Sequence, residues 1–385
     1  MAVGVGTVVG VCTGPAVAVG RGSQPISSVE VGLGVGDGVG PALSGPQAVV
    51  AAIAKILLVW AIALAALLPN LVWAERRGAG MIQDRPGPNR VGPFGLFQAV
   101  ADVIKLFMKE DVTPLYVDKL LYNLAPWITM MPALVTFAVI PFGATLPVTL
   151  GGVTRDVPLI IADVNIGILY IFAFASLGVY GIVLAGWSSN NKYSLMGGLR
   201  ASAQIISYEL AMGFAAASTF LVAGSLRLPA VVEWQQAHVW NVVPQFVGFL
   251  IFLIAVFAET NRLPFDLAEA EAELVAGFHT EYSAFKFGMF FMGEYANIIA
   301  ASGLVVTLYF GGWSLPGIAF TGVWGAIASI AVFFAKTLAF IALFIWVRWT
   351  FPRFRYDQLM DLGWKVLLPL SFFHLIVVAA FVAAK

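Results

Sequence analysis

The sequence predicts an all-α polytopic membrane protein, and three observations support this fold class. Of the 385 residues, 60% are hydrophobic and only 11% are charged, whereas soluble domains carry about 25% charged residues. The mean hydropathy is +0.90. The apolar residues form long segments, each close to the roughly 20 residues that a helix needs to cross a bilayer.

The same composition excludes several kinds of chemistry. A single cysteine, Cys12, rules out a disulfide framework, an iron–sulfur cluster or a thiolate metal site made by this chain alone. The three histidines, His238, His279 and His374, are far apart in sequence, which argues against a bis-histidine haem. A net charge of zero gives no field that would favour nucleic acid. We therefore expect no metal site and no cofactor bound by this chain alone, and a chemistry that rests on carboxylates and arginines.

The chain begins with a Gly- and Val-rich tail, residues 1–45. No lysine or arginine precedes Arg21, so the basic region of a signal peptide is missing. Each glycine costs about 1 kcal/mol relative to alanine in a helix, so the tail is a poor candidate for a span. We predict a disordered tail over 1–45 and one helical membrane domain over 46–385.

Eight apolar segments follow the tail and predict about eight transmembrane helices. They cover residues 48–73, 120–142, 160–186, 202–225, 243–259, 286–311, 325–348 and 363–382. Lysine and arginine concentrate in the odd-numbered connections, which the positive-inside rule assigns to the cytoplasm. The predicted cytoplasmic loops are 74–119, 187–201, 260–285 and 349–362, so both termini face outward.

The first of these loops contains an amphipathic helix, predicted over 94–110. One face is polar, and the other consists of Phe97, Val100, Ala101, Ile104, Phe107 and Met108. This pattern is typical of a helix that lies in the membrane interface, here on the cytoplasmic side. Together with the Pro- and Gly-rich turn before it, the helix could form the lip of an entrance for an amphipathic ligand. An ordinary connection along the membrane surface is the alternative.

The stretch from Glu259 to Tyr295 is the most informative part of the chain. It holds seven of the 21 acidic residues, with only Arg262 and Lys286 to compensate. If 266–273 is helical, positions 266, 269 and 273 share a face. Crowded carboxylates beside apolar segments should have raised pKa values, which favours a role in proton movement over a solvated acidic loop. Its acids are Glu259, Asp266, Glu269, Glu271, Glu273, Glu281 and Glu294.

Isolated polar residues inside the predicted spans point to function as well. Glu209, Glu294 and Lys336 lie within apolar segments, where an ionised group costs several kcal/mol unless it faces the bundle interior. Lys55, near the start of the first span, is better explained by snorkelling to the interface. His279 either titrates with the acidic stretch or lies at the surface.

Four long motifs resemble the H subunit of respiratory complex I, the proton-translocating NADH:quinone oxidoreductase. They are WAERRGAGMIQDRPGPNRVGPFG with QAVADVIKLFMKED, LAGWSSNNKYSLMGGLRASAQIISYEL, AETNRLPFDLAEAEAELVAGFHTEYSAFKFGMFFMGEY, and FPRFRYDQLMDLGWK. The resemblance covers nearly everything from about residue 48 onward and leaves the tail out.

The resemblance implies a membrane subunit that joins the hydrophilic arm of the complex to its proton-pumping arm. It implies a quinone substrate, a bilayer of the cell inner (plasma) membrane, and partner subunits that hold flavin and iron–sulfur clusters. The implied quinone-tunnel residues are Glu75, Arg76, Asp102, Lys105, Arg353 and Arg355. The implied proton-relay residues are Glu209, Asp266, Glu269, Glu271, Glu273, Glu281 and Glu294.

Two other classes stay open at this point. A proton-coupled secondary transporter would also bury carboxylates, but it should show an internal repeat and interrupted spans, which we do not find. A membrane subunit of an energy-converting hydrogenase or a coenzyme-F420 dehydrogenase would share the fold with a different electron donor. The NNKYSL and PFDLAEAEAELVAGF segments fit complex I better.

Overall fold

The structure, a computed structural model, describes residues 45–150, 153–269, 271–318 and 320–384. The predicted disordered tail therefore lies outside the described residues, apart from Gly45. The α-helices are α1 Gly45–Ala61, α2 Leu68–Ile82, α3 Gln98–Met108, α4 Lys119–Thr136, α5 Gly167–Ser188, α6 Lys192–Ala223, α7 Leu228–Ala237, α8 Phe246–Glu259, α9 Glu271–Leu274, α10 Ala284–Tyr309, α11 Gly322–Thr350, α12 Tyr356–Asp361 and α13 Leu368–Ala383. Two π-helical segments, Ile62–Leu67 and Leu362–Leu367, join α1 to α2 and α12 to α13.

The predicted helical membrane class is confirmed, with fewer full-length spans than expected. Among the described residues, six helical segments are long and apolar enough to cross a bilayer, and the 14-residue α8 is a shorter apolar helix. The second predicted span, 120–142, corresponds to α4, which ends at Thr136 and is not among the six. The six are Ile53–Ile82, Gly167–Ser188, Lys192–Ala223, Ala284–Tyr309, Gly322–Thr350 and Tyr356–Ala383.

Two local features differ from the sequence prediction. An antiparallel hairpin of β1 Thr145–Leu150 and β2 Val153–Pro158 lies in the connection between the second and third predicted spans, for which no strand was predicted. Helix α6 begins at Lys192, inside the predicted loop 187–201, because Asn191 caps it by accepting a hydrogen bond from the backbone N–H of Tyr193 at 2.9 Å. The predicted loop was located from its basic residues, whereas the start of the helix is set by the capping residue.

The core lies around α10, most of which is buried, whereas most of α13 is exposed. Tyr208, Phe252 and Tyr309 are fully enclosed there. Lys336 of α11 donates hydrogen bonds to the carbonyl oxygens of residues 310, 312 and 314, at 2.7, 3.0 and 2.6 Å. These carbonyls follow the C-terminus of α10, where a cation is favourable. These hydrogen bonds give Lys336 a structural role, and the functional role favoured from the sequence stays a prediction.

The amphipathic helix is present as α3, shorter than predicted. It begins at Gln98 after a turn of 3-10 helix over Pro93–Gly95. Its apolar face is largely uncovered, and Phe107 stacks on Phe285 of α10 with ring centroids 4.3 Å apart. This contact fixes α3 beside the end of α10 from which the acidic stretch enters the bundle.

Candidate functional site

Most of the acidic stretch forms a folded loop between α8 and α10, and its last residues belong to α10. The condition for a shared helical face of positions 266, 269 and 273 is not met, because among the described residues of 266–274 the helix covers Glu271–Leu274 alone. Gly277, at φ 60°, is required for the loop's path: a Cβ there would lie 1.8 Å from the Ala268 carbonyl oxygen. Gly197 of α6 approaches the same segment, and a Cβ on it would lie 2.7 Å from the backbone nitrogen of residue 278. The two glycines let the loop pack directly onto α6.

A buried arginine, Arg262, lies at the start of this loop and joins two carboxylates. Its side chain is 4% exposed, and its guanidinium lies 3.5 Å from a carboxylate oxygen of Glu75 and 3.5 Å from one of Glu294. The ring of Tyr295 lies 4.4 Å from the guanidinium carbon. Arg348 of α11 makes a direct ion pair with Glu75. We call Glu75, Arg262, Glu294 and Arg348 the Arg262 cluster; its two acids and two arginines come from four elements.

Pairing explains why these charges can be buried. A lone buried ion carries a penalty of several kcal/mol, which an opposite charge and hydrogen bonds offset. Burial lowers the pKa of Arg262, but the nearby Glu294, Tyr295 and Glu75 outweigh it, so the pKa is raised and the guanidinium stays charged. A change of charge beside the Arg262 cluster therefore acts on a fixed positive charge.

A further ion pair joins the loop to the segment just before α12. Arg353 donates a hydrogen bond of 2.9 Å to Asp266, which is 8% exposed. Burial raises the pKa of Asp266 and outweighs the ion pair with Arg353, which lowers it. One residue of the predicted quinone tunnel is thus in contact with one of the predicted proton relay.

Beside the Arg262 cluster lies a cavity of about 50 Å³ with acids on its walls. Glu259, Glu269, Glu294 and His279 line it, and Asn297 adds an amide. A cavity needs about 10–15 Å³ to hold one water molecule, so this one has room for more than one. We call it the carboxylate cavity. It brings Glu269 of the loop together with Glu259 and Glu294 of the spans.

His279 is buried in the wall of this cavity. Its side chain is 7% exposed, and its Nδ1 lies 4.0 Å from a carboxylate oxygen of Glu269. Burial lowers the pKa of His279 from 6.5 to about 4, so the ring is neutral at neutral pH. Of the alternatives weighed from sequence, the surface position is therefore wrong.

The remaining predicted relay residues whose side chains the structure describes are not among those that line the cavity. Glu273 is 51% exposed at its side chain and pairs with Arg200 at 2.5 Å. Glu281 accepts a hydrogen bond of 2.6 Å from the Asn191 amide. Glu209 on α6 is half-buried and within electrostatic reach of Glu259, and the side chain of Glu271 lies outside the described residues.

Of the remaining predicted tunnel residues, some pair with one another and others lie at the surface. Arg76 pairs with Asp102 of α3 at 2.5 Å, and Gln98 donates to the same carboxylate at 3.1 Å. Lys105 is exposed on α3. Arg355 pairs with Asp357 at 2.5 Å, and both side chains are largely exposed. The structure joins Arg76 with Asp102, Arg353 with Asp266, and Glu75 with Arg262, and it leaves Lys105 and Arg355 at the surface.

Three residues of the site went unassigned in the sequence prediction. Arg348 was counted only among the basic residues of the odd-numbered connections, Arg262 only as a compensating charge, and Glu259 as a member of the stretch without a role. The signal for Arg262 was present, because it is one of only two basic residues in a run with seven acids. In the part of the chain that the structure describes, no group of three His, Cys, Asp or Glu side chains is arranged to hold a metal ion.

The fold and the site together define a class, that of polytopic helical membrane proteins with a buried network of carboxylates and arginines. Comparison with known proteins makes the assignment specific. The family described as NADH dehydrogenase matches residues 54–379, and the chain belongs to this family.

Several relatives match over most of their length. The first of the NADH-quinone oxidoreductase H subunits of Geobacter metallireducens is 54% identical over 325 residues, which cover 84% of this chain and 94% of the relative. The NADH-quinone oxidoreductase H subunit of Leptospira biflexa is 54% identical, with coverages of 78% and 86%. NADH-quinone oxidoreductase subunit 8 of Rhodothermus marinus is 50% identical, with coverages of 85% and 98%. The resemblance to this family drawn from the motifs is confirmed.

Proposed function

We propose that this chain is the membrane subunit of a proton-translocating NADH:quinone oxidoreductase that forms part of the quinone path and couples quinone reduction to proton movement. One observation carries the proposal: Arg262 contacts both Glu75, which belongs to the predicted quinone path, and Glu294, which belongs to the predicted relay. The names of the relatives support the enzyme class. The contacts of Arg262 support the proposed link between the quinone path and the proton relay.

The quinone path runs along α3 and the adjoining end of α2. Helix α3 offers an apolar surface for an isoprenoid tail, with Ile104 and Phe107 more than half exposed. Arg76 and Asp102 beside it provide charges that orient a polar head group. Two other residues of the proposed path reach the acidic stretch: Arg353 contacts Asp266, and Glu75 belongs to the Arg262 cluster. A charge that develops on the quinone is then felt by buried carboxylates through short contacts.

The relay consists of the carboxylates around the carboxylate cavity. Carboxylates that share a poorly solvated site cannot all be ionised cheaply, so some hold protons near neutral pH. A charge that develops on the quinone beside Glu75 acts on Arg262, which contacts Glu75, and through Arg262 on Glu294. Protons then move laterally between carboxylates through water in the cavity.

The chain works within a larger assembly. It binds no cofactor alone; flavin and iron–sulfur clusters belong to the hydrophilic partner subunits, and quinone is the substrate. The membrane is the cell inner membrane, with the odd-numbered loops in the cytoplasm and both termini outside. The proton-pumping subunits of the membrane arm receive the signal from the relay.

The quinone path is tested by Arg76→Ala in the assembled complex. We expect NADH:quinone turnover to fall while electron transfer from NADH to a hydrophilic acceptor, which bypasses the path, is unchanged. Lys365→Ala is a matched control, since Lys365 also forms an exposed ion pair, with Asp361 at 2.8 Å, and should leave both activities intact. If both activities of Arg76→Ala fell in step with the amount of complex, Arg76 would be structural and the quinone path would lose its main support.

A further inference from the structure

His279 has a polar atom that the folded chain leaves unsatisfied. Its Nδ1 is buried without a hydrogen-bond partner among the described residues. The Glu269 carboxylate lies 4.0 Å away, which is beyond hydrogen-bond range. Buried polar atoms are nearly always hydrogen-bonded, to protein or to ordered water. This atom lies in the wall of the carboxylate cavity, which has the volume for water.

The surroundings hold the ring in place and keep it neutral. Phe278, Phe287 and Phe291 contact the imidazole, with ring centroids 5.0, 5.2 and 6.1 Å away. The titratable groups that face the cavity from the loop, α8 and α10 are Glu269, Glu259 and Glu294. A separation of 4.0 Å between two polar atoms is one that a single bridging water spans, with an ordinary hydrogen bond to each.

We infer that His279 is a positioning residue of the carboxylate cavity: its Nδ1 holds an ordered water that bridges to Glu269 and connects this loop carboxylate with Glu259 and Glu294. The inference rests on the proposed relay and adds a member that carries no charge. A neutral imidazole has one N–H donor and one acceptor nitrogen, so it orients the water without taking up a second proton. A charged side chain at this position would bind a carboxylate directly and remove the water.

The proton transfer balances without a change at the ring. The protonated Glu269 gives its proton to the bridging water, and that water gives one of its own protons to the next water or to a carboxylate deeper in the cavity. One O–H bond breaks and one forms at each step, and the excess proton ends on Glu259 or Glu294. His279 begins and ends neutral, since it acts through the water that it orients.

Three variants of the assembled complex separate this role from others. His279→Asn keeps a polar atom close to the position of Nδ1, whereas His279→Leu has similar bulk without one. We expect His279→Leu to lower NADH:quinone turnover per assembled complex about tenfold, the effect of roughly 1.4 kcal/mol on the transfer barrier. His279→Asn should restore most of that turnover and its pH profile, and both should reduce a hydrophilic acceptor at the wild-type rate. Glu269→Gln, the third variant, should lower quinone turnover as His279→Leu does.

The outcomes distinguish this inference from the proposed relay. Wild-type turnover in Glu269→Gln would remove this carboxylate from the relay, and the inference with it. Impaired Glu269→Gln with wild-type His279→Leu would overturn the inference alone. Equal impairment of the Asn and Leu variants would also overturn it, since a polar atom at Nδ1 would then not suffice. Should His279→Leu fail to assemble, the wild-type complex decides: a cryo-electron microscopy map that resolves waters should show one within hydrogen-bond distance of both Nδ1 and Glu269, and an empty site would refute the inference.

Discussion

Acid should destabilise this protein through His279, and the size of the effect follows from its burial. The pKa of His279 is lowered from 6.5 to about 4 in the folded chain. Between these two values the unfolded chain binds a proton that the folded chain does not. The contribution of the neutral His279 to the free energy of unfolding is therefore fully present above pH 6.5 and is lost as the pH falls toward 4. At 1.36 kcal/mol for each pKa unit, the loss amounts to about 3 kcal/mol.

The substitution His279→Asn isolates this contribution, because asparagine does not titrate while the acids around it remain. We expect the wild-type and variant complexes to differ little in pH dependence above about pH 7. Between pH 6.5 and pH 4 the thermal inactivation temperature of the wild type should fall more steeply than that of His279→Asn. The assay is a thermal-shift series on purified complex in detergent, buffered at steps of half a pH unit.

Parallel curves for the two proteins across this window would refute the reasoning. They would mean that the ring is protonated in the folded chain, or that the loop around it opens before His279 is charged. A steeper fall in His279→Asn would be contrary to the sign of the pKa shift. Neither result depends on quinone chemistry, because the assay follows folding alone.

Three further predictions concern the packing of the site. Gly277→Ala should sharply reduce the amount of assembled complex, because the added Cβ would lie 1.8 Å from the Ala268 carbonyl oxygen. The assay is an immunoblot of membranes, and wild-type amounts would show that the loop can follow another path. Lys336→Met should lower the thermal stability of the complex by at most about 1.5–3 kcal/mol for each lost charged hydrogen bond, and turnover per assembled complex should be unchanged. A loss of turnover at wild-type stability would instead indicate a functional role for Lys336. Arg262→Met should destabilise the complex by about 3–5 kcal/mol in thermal-shift assays, since it breaks a buried ion pair. Adding Glu294→Gln should recover part of the lost stability. Strict additivity of the two changes would argue against their coupling.

The sequence was sufficient for the class of fold and for the residues of the acidic stretch. Long apolar segments predict spans because the bilayer imposes a minimum helix length, and the alternation of apolar and polar residues in the first loop predicts α3 by its period. The carboxylates were found because acids are rare in so apolar a chain. Each of these inferences uses a property local to the sequence.

What the sequence could not supply depends on contacts between distant segments. Glu75, Arg262 and Arg348 come from three elements, and only the fold brings them together. The helix considered over 266–273 is not formed over that whole segment, and the loop there follows a path that requires a positive φ at Gly277, which helical periodicity does not describe. His279 could be judged only once its aromatic neighbours were known, because burial determines its charge.

The central claim is that carboxylates around the cavity couple quinone reduction to proton movement, and proton pumping in proteoliposomes tests it most directly. Glu209→Gln with Glu294→Gln keeps shape and hydrogen bonding but removes titration, and Glu233→Gln on the exposed face of α7 is the matched control. Single changes Glu271→Gln and Glu273→Gln test the loop.

We expect the control to pump and turn over as the wild type does. The double variant should assemble but lose most of its NADH:quinone turnover and the proton pumping that accompanies it, since blocked proton transfer holds back coupled electron transfer. The loop variants should show smaller losses of both. Wild-type pumping and wild-type turnover in the double variant and in both loop variants, each normalised to assembled complex, would contradict the relay.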